Sequence, residues 1–379
     1  MTAVGTRELR AWAYLSAVAE PPCAPLIALA ERYGAVETAQ MIKTRTLPAG
    51  HGGVLKATQA RHATDTAAKD LDTAAGLGAR LLTRDHPDWP EWALLALDQA
   101  GTAERGGGPL ALWVRGTTSL ADMTGSAIGV VGARAASPYG EHVAGRLGGD
   151  LAAAGRAVIS GAAYGIDGAA HRGALAAGGL TAAVLACGID RDYPAGHARL
   201  LGEIARLGLV ITEYAPGTTA AKHRFLTRNR LVAALSGALV VVEAGRRSGA
   251  ANTAAWARTL GRPLGAVPGP VTAASSVGCH QMIADGEATL VTDAASAVAL
   301  VEVNGHDNHV RSPARPTDHL PPGQFAVIEA LPAHGGLSLE EIAFVSGRPV
   351  DEARVALALL EVAGLVQNEA GTWSLTTGG

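Results

Sequence analysis

From Ala127 onward the chain alternates seven short apolar runs rich in β-branched residues with six segments of helical length. The runs are AIGVVGA (127–133), RAVIS (156–160), TAAVLACG (181–188), GLVITEY (208–214), GALVVVEA (237–244), PLGAVPG (263–269) and ATLVTD (288–293). The intervening segments, 138–154, 164–178, 195–207, 226–236, 249–260 and 277–285, each fit a helix. A strand that is apolar throughout must be buried on both faces, and strands alternating with helices build a parallel sheet covered on both sides. The pattern therefore predicts an α/β fold, a doubly wound Rossmann-like domain, with a leading strand at LALWVRG (110–116).

The rest of the chain falls into smaller pieces. Leu9, Trp12, Ala13 and Ser16 form one helical stripe and Leu26, Leu29, Ala30 and Tyr33 another, separated by PPCAP with a proline at a helix start. This predicts a small helical domain over 1–75, with the Rossmann-like domain over 76–301. The polar, Pro- and His-rich stretch ending DHLPPG predicts a linker over 302–323. Beyond it, three helical patterns precede LVQNEAGTWSLT, which reads as a hairpin. The second helix opens on Ser338 with Glu341 three residues on, a capping box. Three helices and a hairpin predict a winged-helix domain over 324–379. Three scattered cysteines, with no CxxC pair, fit neither a disulfide framework nor a zinc knuckle, and point to a reducing cytosol. Neither a signal peptide nor a membrane span is expected.

Ligands of open α/β sheets lie beyond the carboxyl ends of the strands. Read there, the chain offers Gly132-Ala133-Arg134, Ser160-Gly161 with Gly165, Cys187-Gly188, and Ser248-Gly249. Glycines at such turns allow close backbone approach to a phosphate, and helix N-termini supply N–H donors; the same glycines also serve tight turns alone. No GxGxxG or GxxxxGK[ST] follows a strand, which disfavours a dinucleotide or P-loop site. The stretch KHRFLTRNRLVAALS (222–236) carries Lys222, Arg224, Arg228 and Arg230, with no acidic residue between Glu213 and Glu243. In a chain of net charge −3 this is a local patch. It reads either as a solvated helix start or as an anion site, since cations at a helix N-terminus oppose the macrodipole until an anion arrives. Phe225 among the bases is either core or a platform on which an unpaired base stacks. Asp167 and His171, an i, i+4 pair, suggest loop capping more than acid–base chemistry. His306 and His309 in the linker do not make a designed metal site, and no catalytic set emerges.

Together these motifs resemble the DprA/Smf family of bacterial DNA-processing proteins. The family pattern, GSR, SGxAxGID, FPxRNRxxxxLS, EA followed by SG and TA, then AVPG, is matched in order by GAR (132–134), SGAAYGIDGAAH (160–171), FLTRNRLVAALS (225–236), EAGRRSGAANTA (243–254) and AVPG (266–269). The resemblance implies a non-enzymatic protein without cofactor or metal. It would bind single-stranded DNA, protect incoming strands in natural transformation, load the RecA recombinase, and act as a cytoplasmic homodimer. It also implies that Arg134 contacts phosphate, that Lys222, Phe225, Arg228, Asn229 and Arg230 grip the strand, and that Ser160, Gly161, Gly165, Ser248 and Gly249 line the pocket. Ala133, Leu226 and Ala250-Ala251 depart from the pattern. Two other functions fit the sequence less well. A phosphoribohydrolase-type enzyme lacks its PGGxGTxxE motif here. For a regulator reading duplex DNA, the third C-terminal helix is poorly suited, because Asp351, Glu352 and Glu361 outnumber Arg354.

Overall fold

The computed structural model describes residues 5–100, 107–246, 248–302, 317, 320–332 and 334–376. Most of the expected linker, with His306 and His309, lies outside the described residues. The chain divides into two compact units, Met1–His306 and Asp307–Gly379.

The first unit begins with five helices: α1 (Thr6–Val18), α2 (Ala24–Tyr33), α3 (Ala35–Thr44), α4 (Gly52–Thr58) and α5 (Ala67–Gly76). The chain continues through β1 (Ala79–Leu82), α6 (Glu91–Gln99), β2 (Leu112–Arg115), α7 (Leu120–Thr124), β3 (Ile128–Val131), α8 (Pro138–Ala153), β4 (Val158–Ser160) and α9 (Ile166–Ala176). It then forms β5 (Thr181–Val184), a 3-10 turn (Ala195–His197), α10 (Ala198–Leu207), β6 (Leu209–Thr212), α11 (Lys222–Ala234) and β7 (Ala238–Val241). The unit closes with α12 (Gly249–Thr259), β8 (Leu264–Ala266), α13 (Val277–Ala284), β9 (Thr289–Leu290) and α14 (Ala294–Glu302). All seven apolar runs become strands, and each intervening segment holds a helix.

The nine strands form one sheet in the order β1-β2-β6-β5-β4-β3-β7-β8-β9. The seven from β6 to β9 are parallel, whereas β2 pairs antiparallel with β6, and β1 antiparallel with β2. The wholly parallel sheet expected from the sequence is corrected at this edge. Side chains alternate across the strands. Leu112, Val114, Ile159, Val184, Ile211, Leu239 and Val241 face α6, α11 and α12. On the opposite face, Ile128, Val130, Val158 and Val240 pack under α8, α9 and α14. Trp113, Ala183 and Val210 pack on that face under the N-terminal helices and α10. The five N-terminal helices thus share a core with the sheet, and the expected boundary near residue 75 falls at the end of α5 inside this unit. Helices α8 and α9 touch backbone to backbone: a Cβ on Gly148 or Gly173 would strike the carbonyl of Ala170 or Gly145.

The second unit holds α15 (Pro322–Glu329), β10 (Leu337–Ser338), α16 (Leu339–Ser346), α17 (Val350–Val362), β11 (Val366–Glu369) and β12 (Thr372–Leu375). The three strands form an antiparallel sheet in the order β10-β12-β11. The Ser338–Glu341 capping box is present. The hairpin turn has positive φ at both Ala370 and Gly371, the backbone a right-handed two-residue hairpin requires. Val327, Ile342, Leu357 and Leu360 form its core. Among the described residues no helix is long and apolar enough to cross a membrane.

Candidate nucleic-acid interface

The strand order reverses between β3 and β7, and a crevice opens there beyond the carboxyl ends of the strands. Its cavity, about 710 Å³, is bounded by the turns after β3 and β4, the first two turns of α11 and the start of α12. It gathers Arg134, Gly161, Lys222, Phe225, Arg228, Asn229, Ser248 and Gly249, residues spread over more than a hundred positions of sequence.

Arg134 is exposed, and its guanidinium lies over the Phe225 ring, 4.5 Å from the centroid. Tyr193 stands beside that ring at a centroid distance of 5.2 Å. Sequence reasoning missed Tyr193, which follows no apolar run directly and sits in no recognisable motif. Lys222 is exposed at the first position of α11, a helix with no side-chain cap. The helix starts four residues before the expected 226. Leu226 supplies a backbone N–H at the place where the resembled pattern has a proline, so the first turns are free to close.

Arg228 forms the floor. It is 5% exposed, and its guanidinium donates to the carbonyls of Gly161 and Val184. A Cβ on Gly161 would run into that guanidinium, so glycine is required for the close approach. Burial lowers the Arg228 pKa, and buried Asp167 opposes that shift. Burial likewise raises the Asp167 pKa, against the pull of Arg228. Asp167 accepts from the Ala163 N–H at 3.2 Å, which fixes the 161–165 turn. It makes no pair with His171, whose Nδ1 lies 2.6 Å from Thr181 Oγ1. Asn229 donates to Gly249 O (3.3 Å) and Asn252 Oδ1 (3.1 Å), tying α11 to the start of α12. Ser248 caps α12, accepting from Ala251 N–H, while Gly249 faces open space.

Three expected residues stand elsewhere. Ser160 is fully buried and donates to Val130 O at 2.6 Å, so its hydroxyl bridges strands rather than lining the cleft. Gly165 (φ 71°) is a turn residue packed against the carbonyls of Ala133 and Arg134, and shapes the wall only from behind. Arg230 is sealed in the core, where two bonds of 2.7 Å join it to Glu213. The apparent lack of acidic partners for this stretch is corrected accordingly: Glu213 neutralises Arg230, and distant Glu20 neutralises Arg224. Glu243, the first residue of the matched EAGRRSGAANTA run, has a structural role that the motif does not reveal. It is buried and accepts from the Ser137 N–H at 2.9 Å and from the Ser137 and Ser275 hydroxyls, fixing the start of α8 beside Arg134. Among the described residues no cluster of three His, Cys, Asp or Glu side chains is placed to hold a metal ion.

Residues 80–302 match the model of the family described as DNA recombination-mediator protein A. Over 378 residues, 98% of this chain and 95% of the relative, the sequence is 49% identical to a DprA-named protein of Mycobacterium tuberculosis. It is 34% identical to the Smf protein of Escherichia coli over 265 residues, 68% of this chain and 69% of that one. The fold resembles DNA processing protein A of Streptococcus pneumoniae, with a TM-score of 0.63 at 26% identity, covering 78% of this chain and 98% of that one. It also resembles the Helicobacter pylori protein, whose structure describes a single-stranded DNA binding mode, with a TM-score of 0.51 at 27% identity, covering 60% and 97%.

Proposed function

The chain belongs to the DNA recombination-mediator protein A family, and on that premise we propose that it binds single-stranded DNA in the β3/β7 crevice as a non-enzymatic mediator of recombination. The observation that carries this is one cleft holding exposed cations, a buried cation and two aromatic rings. Phosphates of a single strand need cations, and its unpaired bases need flat apolar faces. Arg134 and Lys222 at the rim take phosphates, and Arg228 fixes the floor. Phe225 and Tyr193 offer rings to a base, which would displace Arg134 from Phe225 toward the backbone. The N–H groups that open α11 and α12 add donors for phosphate oxygens.

The wider assignment follows the family. It includes protection of incoming strands in transformation, loading of RecA, a homodimer in the cytoplasm, and a domain plan of helical domain (1–75), Rossmann-like domain (76–301), linker (302–323) and winged helix (324–379). The winged helix is assigned to protein contact rather than duplex reading. Its third helix exposes Val355, Leu359 and Val362 beside Asp351, Glu352 and Glu361, a face that phosphates would repel.

The test is a titration with single- and double-stranded oligonucleotides at several salt concentrations. Single strands should bind more tightly, and Arg134→Ala should weaken binding to all sequences while lowering the salt slope by about 0.7. A wild-type affinity and slope for this variant would remove the cleft from consideration.

A further inference from the structure

The first turn of α11 faces two ways. Lys222 and Phe225 line the cleft, whereas Arg224 lines a separate cavity of about 680 Å³ between the N-terminal helices and the β6–α11 loop. There Arg224 grips Glu20, Nε to Oε1 at 2.6 Å and Nη2 to Oε2 at 3.1 Å. Arg61 Nη2 reaches the same carboxylate at 2.8 Å, and His223 Nε2 at 3.2 Å. Glu20 follows the C-terminal end of α1, where unpaired carbonyls disfavour a negative charge. It is held there by side chains from two other elements. Burial alone would raise its pKa, but Arg224 and Arg61 overrule this and bring it down to about 2.

Two arginines and a histidine converging on one pair of oxygens is how proteins hold an external oxyanion. The neighbouring acids are otherwise engaged: Asp190 accepts from Gly217 N–H and Asp70 from the Thr66 hydroxyl. Lys69 lines the same cavity without an ion pair to any described residue. The buried Tyr214 hydroxyl in its wall has no partner among the described residues. The open volume gives the Glu20 side chain somewhere to go when displaced.

We propose that Glu20 stands in for a phosphodiester. Arg224, Arg61 and His223 form a second phosphate site, closed by Glu20 in the strand-free protein and opened when a strand long enough to leave the Phe225 cleft displaces the carboxylate. This rests on reading the cleft as a single-strand site. A short strand confined to the cleft does not reach it; a longer one gains a contact by exchanging one anion for another.

The experiment titrates the full chain with a short and a long oligothymidylate from ~50 to ~200 mM salt. It compares wild type, Glu20→Gln, Arg224→Ala and the double variant, with thermal melting of each. Glu20→Gln should bind the long strand at least about fivefold tighter, the upper range for a surface ion pair and so a floor for this half-buried one, and steepen its salt slope by about 0.7. The short strand should bind as in wild type. Arg224→Ala should erase the gain in the double variant while changing the wild-type background far less. A gain that survives Arg224→Ala, or no gain in a Glu20→Gln variant that melts like wild type, overturns the proposal. Arg134→Glu on the short strand is the separate control: if it binds normally, the cleft reading has failed instead. Should Glu20→Gln not fold, hydrogen exchange of the wild type decides. Amides of residues 17–23 should exchange faster on binding the long strand but not the short one, and unchanged or slower exchange overturns the proposal.

Discussion

Arg230 gives the sharpest separation between a structural and a binding role for α11. Its side chain is 0% exposed and that of Glu213 2%, and two parallel bonds of 2.7 Å join them. Removing one partner leaves the other charged and buried, at a cost of about 3–5 kcal/mol. Arg230→Met should therefore lower the melting temperature by roughly 5–10 °C in a unit of this size. Replacing both members, Arg230→Met with Glu213→Leu, removes the desolvated charges together and should return stability to within about 1 kcal/mol of wild type, or above it. The decisive measurement is single-strand affinity of that double variant across a salt series. With Arg230 sealed in the core, it should bind within about twofold of wild type with an unchanged salt slope. A phosphate contact would instead appear as a slope lowered by about 0.7. A double variant that melts like wild type but binds tenfold more weakly with the lower slope would refute the placement of Arg230 outside the interface.

Three further outcomes follow from the same geometry. Phe225→Ala should cost about 1–3 kcal/mol of single-strand affinity with little change in salt slope; a lowered slope would show that the ring acts by positioning Arg134. Gly161→Ala drives a methyl into the Arg228 guanidinium and should destabilise by about 1–3 kcal/mol in chemical denaturation while weakening binding; a neutral result on both readouts would mean that Arg228 has room to retreat. Burial of His171, reinforced by His197, lowers its pKa from 6.5 to about 3. The unfolded chain takes up the proton first, so this contribution to stability is complete above about pH 6.5. It falls by about 1.4 kcal/mol per pH unit toward pH 3. Urea unfolding of His171→Gln should lose that slope relative to wild type, and parallel curves for the two proteins would count against it.

How much of this was legible depended on whether a residue's partner lay nearby in sequence. The parallel strands announce themselves because burial on both faces demands uninterrupted apolar runs, as in ALVV of β7. β1, the four residues ARLL, carries no such pattern. The antiparallel direction of β2 is a property of the path between elements, which composition does not encode. In the cleft, Arg134, Lys222, Phe225, Ser248 and Gly249 were readable because each follows a strand or opens a helix. Tyr193 was not, since it reaches Phe225 from a loop thirty-two positions away whose path only the fold reveals. Glu20 meets Arg224 across 204 residues, and Glu243 meets Ser137 across 106. No window along the chain relates such partners.

The same consideration changes what the basic stretch means. Its four cations, one helical segment in sequence, have four different electrostatic environments. Lys222 faces solvent at the rim. Arg224 is already paired with Glu20. Arg228 is enclosed, bonded to two carbonyls and opposed by Asp167. Arg230 is neutralised by Glu213 in the core. Counting charges would predict a salt slope of about four contacts' worth from this helix alone. The geometry leaves Lys222, together with Arg134 from another turn, as exposed rim cations, the ones that an incoming phosphate would meet first under the proposed function. Arg228 determines the shape of the floor, and its guanidinium is preorganised before any strand arrives. A measured slope near that of two or three contacts on a short strand, rising on a longer one, is the behaviour this division of labour requires. A slope of four on the short strand would mean that Arg224 and Arg230 leave their carboxylates more readily than their bonding suggests.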